Sequence, residues 1–198
     1  MNDISWEYAF IHIPKNAGFS IKKAIEHCQS IKYFNHDVLF KDIEQLKEII
    51  IIRNPIDRFT SAFFYLKQYK TNKASVYFNT PEDLLKGFLN YDPMALNYLK
   101  IHDHSHHVNG NKINTDWVFH PQISWVNNPY KIFLYENIEN DFNNFLTEIG
   151  YDIKIPHVNR SNKIDFVYNS DSIKLLKLLY KLDFELYESL LNNRDGIG

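Results

Sequence analysis

Cysteine is almost absent from this 198-residue chain: Cys28 is the only one. No intrachain disulfide can form, so nothing in the sequence ties the fold to an oxidising compartment. Cys28 itself reads as a small buried apolar residue at a helix end, not as a nucleophile. A charge excess is missing too. With 22 basic and 24 acidic side chains the net charge is −2, which leaves no global basic field. Nucleic acid is therefore not expected as the main partner, and any anion site must be local. No apolar run approaches the roughly 18 residues of a membrane span. The stretch 1–8 lacks the charged and apolar regions of a signal peptide, which predicts a cytoplasmic chain. Internal repeats and linker-like stretches are also absent, and the length suits one domain over 1–198.

What the chain does contain is an alternation of strand and helix signals. Residues 8–13 read as a buried strand, and 20–28 as a helix with Ile21, Ala24 and Ile25 at helical spacing. A helical pattern is read over 41–46. Four consecutive isoleucines, Ile49 to Ile52, are what a strand covered on both faces looks like. A helix is expected from Pro55 to about 69, with proline at its first position. Thr80-Pro-Glu-Asp83 is a helix start, with helical pattern to about 99. Residues 101–115 read as a polar loop, 130–135 as a strand, and 137–149 as a helix stopped by Gly150. Helices over 170–180 and 184–191 close the chain. Strands alternating with helices predict an α/β domain of three layers with a central, mainly parallel sheet. The 15 Phe, 13 Tyr and 3 Trp read first as core, though aromatics also wall grooves.

Two segments carry chemistry. His12-Ile-Pro-Lys-Asn-Ala-Gly-Phe-Ser20 follows one strand, and Arg53-Asn-Pro-Ile-Asp-Arg-Phe-Thr-Ser61 follows another. Each sets a cation and a hydroxyl beside a helix start, where backbone N–H groups meet anions. Gly18 permits close approach of the backbone, Ser20 can cap the helix and donate its hydroxyl, and Lys15 supplies a mobile point charge. The order is not that of a Walker A loop, because the lysine comes at the beginning. Arg53 and Ser61 can converge on one phosphate, with the guanidinium giving paired hydrogen bonds. Equally, Arg53 or Arg58 can pair with Asp57 or another acid. Two such segments suggest a nucleotide with phosphate-like groups at both ends.

Together these segments resemble the sulfotransferases, specifically the family-2 carbohydrate group that includes uronyl 2-O-sulfotransferases. Members carry a His-x-Pro-Lys-Thr-x-Gly-Thr-Ser loop, then an Arg-Asn/Asp-Pro-x-x-Arg-x-x-Ser segment. The resemblance extends to His120-Pro-Gln122, Tyr135-Glu-Asn-Ile138 and His157-Val-Asn-Arg-Ser161, in the family's order. It implies a P-loop-like fold and 3′-phosphoadenosine 5′-phosphosulfate (PAPS) as co-substrate, with 3′,5′-adenosine bisphosphate as product. Lys15, Asn16, Ala17, Gly18, Phe19 and Ser20 would form the 5′-phosphosulfate loop, with Lys15 on the bridging oxygen. Arg53 and Ser61 would bind the 3′-phosphate, and Arg160 and Ser161 would approach the same end. His120 and Gln122 would face the acceptor. His36, between the two anion segments, would be the catalytic base; histidine has the right ordinary pKa for that work. Asn16 and Phe19 stand where the family prefers threonine. Asn16 can still donate a hydrogen bond and Phe19 cannot, which bears on turnover more than on ligand identity.

The resemblance implies transfer of a sulfuryl group from PAPS to a hydroxyl of a carbohydrate or glycan, or of another acceptor such as a small molecule or lipid-linked sugar, without a metal. His12 reads as a satisfied core histidine behind the loop. His102-Asp-His-Ser-His-His107 reads as a solvated or acceptor-facing loop, because it has no cysteine partner and no second ligand cluster. A P-loop-type kinase is an alternative that the missing Walker lysine disfavours. A non-catalytic module binding PAPS or its product is another, suggested by Phe19.

Overall fold

The computed structural model describes residues 6–36, 40–68, 77–100, 107–108, 111–112, 116–156 and 165–195. In chain order its elements are β1 (Tyr8–Ile11), α1 (Gly18–Ala24), β2 (Ile31–Phe34), β3 (Lys47–Ile52), α2 (Pro55–Lys67), α3 (Pro81–Leu89) and α4 (Pro93–Lys100). There follow β4 (His107–Val108), β5 (Asn111–Lys112), β6 (Pro129–Leu134), α5 (Ile138–Glu148), α6 (Ser170–Leu179) and α7 (Lys181–Asp195). Single 3₁₀ turns lie at Phe40–Asp42, Asp116–Phe119, Gln122–Trp125 and Tyr135–Asn137. The protein is α/β, with a four-stranded, all-parallel central sheet flanked by helices. Its chain packs as two compact units: Met1–Asn54, Gln122–Asp165 and Leu186–Gly198 form the first, and Pro55–Pro121 with Phe166–Glu185 the second.

The first unit holds the sheet, in the order β2-β1-β3-β6. On one face Tyr8, Phe10, Ile49, Ile51 and Phe133 pack with Ile21 and Ala24 of α1 and with Phe142, Phe145 and Leu146 of α5. The alternate residues Ala9, Ile11, Ile50 and Ile52 are buried as well, so the isoleucine run is buried on both faces, as its composition predicts. Cys28 is buried in the same core, and burial pushes its thiol pKa up.

The register of β3 against β6 shifts between Glu48 and Ile49, where β6 begins at Pro129. Proline has no N–H for the ladder and is tolerated at a strand start. The buried Glu48 carboxylate takes over there, accepting from Asn127 Nδ2 (2.9 Å) and Asn128 N (3.0 Å).

The second unit is built on Phe59, Phe63 and Leu66 of α2, Leu84 and Leu85 of α3, Ala95 of α4, and Leu176 of α6. Its polar groups are spent internally: the hydroxyls of Thr60 and Tyr168 meet at 2.8 Å, and the Tyr180 hydroxyl donates to Phe119 O at 2.8 Å. Thr80 and Asp83 form a reciprocal cap at the start of α3, as the motif there predicts.

Four expectations are corrected. The strand β2 is missing from the sequence reading, because it is a short edge strand of which only Ile31 is fully buried. The helix expected over 80–99 is two helices. Asp92 N donates to Gly87 O and Tyr91 N to Phe88 O, a Schellman ending with Tyr91 left-handed (φ 53°). Pro93 then disfavours helix at Asp92, whose carboxylate caps α4 by accepting from Met94 N at 2.7 Å. The helix expected over 41–46 is only the turn Phe40–Asp42. Finally, α1 opens at Gly18 with Ala17 as its N-cap and no side-chain cap, so Ser20 lies inside the first turn and does not cap it.

Candidate functional site

In the order β2-β1-β3-β6, the chain leaves β1 toward one side for β2 and returns on its other side as β3. The direction of winding therefore reverses between β1 and β3. In open parallel sheets the crevice beyond the carboxyl ends of such a strand pair is where ligands bind. Residues 12–20 leave the carboxyl end of β1, and Arg53-Asn54 leave that of β3, so both anion segments reach this crevice.

The loop after β1 has an unusual backbone. Lys15 (φ 70°) and Ala17 (φ 59°, ψ 11°) are both left-handed, and neither is glycine. Left-handed residues among right-handed ones turn successive N–H groups toward one point, a concavity suited to an anion. The first helical hydrogen bond is Ile21 N to Ala17 O (3.1 Å), so the N–H groups at the start of α1 precede it. Gly18 is also required by packing: a Cβ there would collide with the His12 imidazole.

Arg53 ties the second segment to the first. Its Nη1 donates to Lys15 O at 3.1 Å, and its guanidinium lies over the Tyr135 ring at 4.2 Å. Its Nε–H is buried without an acceptor among the described residues, a donor not yet spent. Beside it, Asn54 N donates to Glu136 Oε1 at 3.0 Å. Tyr135 and Glu136, at the end of β6, thus support the segment from the far side, a role that the sequence reading did not assign to them.

Asn16 and Gln122 are not turned outward. Asn16 is 1% exposed; its Nδ2 donates to Ile51 O (2.6 Å) and Gln122 Oε1 (2.6 Å). Gln122 is 0% exposed, accepting also from Arg53 N (3.0 Å) and donating from Nε2 to Arg53 O (2.9 Å). The amide of Asn16 therefore binds the loop to β3, and Gln122, expected among acceptor contacts, is internal. Phe19, by contrast, is 59% exposed and does not fill the loop.

At the end of β2, His36 sits half-buried with its carbonyl accepting from Trp125 Nε1 at 3.0 Å. Its ring meets that of His12 edge-on, centroids 5.8 Å apart. His12 Nδ1 lies 3.3 Å from Asn35 Oδ1. Burial holds the His12 pKa down to about 4; His36, Lys15 and Lys22 push the same way, and the Asn35 contact opposes them. His12 therefore stays neutral and fills the space between Gly18 and His36.

Of the remaining predicted residues, Ser20 is half-buried in the first turn of α1. Ser61 is half-buried on α2 in the second unit, where the exposed His120 accepts through its carbonyl from Nη1 of the buried Arg58 at 2.8 Å. Arg160, Ser161 and the run 102–106 lie outside the described residues, as does Asp37. Among the described residues no group of three or more His, Cys, Asp or Glu is placed to hold a metal ion, and no helix is long and apolar enough to cross a membrane. No family model matches the chain, and neither a curated protein nor a solved structure matches it.

Proposed function

We propose that this chain is a PAPS-dependent sulfotransferase with a P-loop-like fold, acting on a hydroxyl of a carbohydrate or glycan. The observation that carries the reading is the junction of the two anion segments at the sheet's switch point, through Arg53 Nη1 and Lys15 O. A loop with two left-handed residues and an arginine with a buried, unspent donor suit a ligand with an anionic group at each end. In this reading the loop 15–20 takes the 5′-phosphosulfate, and Arg53 takes the 3′-phosphate.

The acceptor oxygen attacks sulfur in line. The new S–O bond forms as the bond to the bridging oxygen breaks, and 3′,5′-adenosine bisphosphate leaves with the bonding pair. Lys15 neutralises charge growing on the bridging oxygen, and His36 takes the acceptor proton. Catalysis here is positioning plus charge stabilisation, by analogy with phosphoryl transfer.

Calorimetry with 3′,5′-adenosine bisphosphate, against ATP and 5′-AMP, tests the reading on wild type and Arg53→Ala. Selective binding that depends on Arg53 is expected; equal binding of ATP, or none of any nucleotide, refutes it. Phe19, which offers no hydroxyl where the family carries threonine, supports a second reading, a module that binds the nucleotide without turnover. His36→Asn separates the two. The enzyme keeps its affinity and loses about 100-fold or more in transfer rate, whereas the module has no rate to lose.

A further inference from the structure

The carboxamide of Gln122 faces both backbone groups of one residue, Arg53, at 3.0 Å and 2.9 Å. It behaves as a strand neighbour would. The paired ladder of β3 ends at Ile52 opposite Leu134, and Gln122 extends it by one residue with a side chain. The same oxygen, Oε1, also accepts from Asn16 Nδ2 in the loop. Loop and arginine are thus both referred to a single atom.

We infer that Gln122 is a positioning residue that sets the span between the anion loop and Arg53, and so selects a nucleotide bearing phosphate groups at both ends. The inference rests on the nucleotide reading above. A ligand held only by the loop does not sense this span, because Asn16 also anchors the loop directly to Ile51 O. A ligand that bridges the loop and Arg53 senses it fully, since a small misplacement of one anchor is felt at the other.

The test uses Gln122→Met, which keeps the length and removes the hydrogen bonds to Asn16 and Arg53, and Gln122→Glu, which keeps an acceptor and removes the donor to Arg53 O. Calorimetry compares 3′,5′-adenosine bisphosphate with 5′-AMP. The bisphosphate is expected to weaken about tenfold and 5′-AMP less than about twofold, the scale of one or two lost internal hydrogen bonds. Equal weakening of both ligands, or of neither, overturns the inference. Should both variants fail to fold, wild-type hydrogen exchange decides. The Arg53 amide, bonded to Gln122 Oε1, is expected to slow more with the bisphosphate than with 5′-AMP, and equal slowing overturns the inference. Wild type that does not bind the bisphosphate overturns the nucleotide reading and this inference with it. Selective wild-type binding with unselective losses in the variants overturns the inference alone.

Discussion

Acid should loosen this protein through His12 well before the carboxylates protonate. The imidazole titrates near 4 in the fold against an ordinary 6.5, mainly because it is buried. Between those values the unfolded chain binds a proton that the folded chain refuses, so stability is full above pH 6.5, falls as pH drops, and levels off below pH 4. Each tenfold difference in proton affinity is worth about 1.4 kcal/mol. Going from pH 7 to pH 5 thus removes about 2 kcal/mol, or about 1–2 kcal/mol once water relaxes around a partly covered ring. The cause is geometric: an imidazolium here sits between the Gly18 backbone and the His36 ring, with Lys15 and Lys22 nearby. His12→Gln, neutral at every pH, is the reference that cancels other titrating groups. Urea unfolding of both proteins at pH 7, 6 and 5 should show wild type losing about 1–2 kcal/mol relative to the variant across that range. A constant difference, or an NMR midpoint for His12 near 6.5, refutes the argument.

Gly18→Ala should destabilise by about 1–3 kcal/mol through the collision with His12, and by much less in a His12→Ala background. Thermal unfolding of the double-mutant cycle measures the coupling, and additive effects contradict it. Glu48→Gln turns a donor toward Asn127 Nδ2 or Asn128 N and should cost about 1–3 kcal/mol in urea unfolding. A loss under about 0.5 kcal/mol counts against the role of the carboxylate at the β3–β6 irregularity. Tyr91→Gly should stabilise by about 1 kcal/mol, because glycine accepts the left-handed C-terminal position of α3 without strain. A lower melting temperature in that variant contradicts the prediction.

The legible parts of this fold are those whose signal is contained in a few neighbouring residues. The isoleucine run read correctly as a strand covered on both faces, and Thr80 to Asp83 as a capped helix start. The break between α3 and α4 was also written locally, in Asp92-Pro93, but the apolar periodicity running through it outweighed that signal. The strand β2 could not be found in the same way. Its order depends on pairing with β1, and its own four residues alternate too weakly to declare a buried face.

The site divides along the same line. Lys15, Gly18 and Arg53 stand out by residue type and spacing, yet what holds them is distant in sequence. Gln122 is 106 residues from Asn16 and 69 from Arg53. A glutamine after His-Pro carries no mark of which way it faces. Its full burial makes it a clamp, because a buried carboxamide must spend its hydrogen bonds on the protein. The same reasoning explains the loop. Two non-glycine residues in the left-handed region cost energy that the loop's own sequence does not return. The compensation comes from outside it, in Asn16 on Ile51 O, Arg53 on Lys15 O, and His12 against Gly18. A strained loop over-determined by three contacts from the ends of two strands, β1 and β3, is the condition under which an anion cradle keeps its shape before a ligand arrives. That is why the supporting residues, and not the loop motif alone, carry the functional argument.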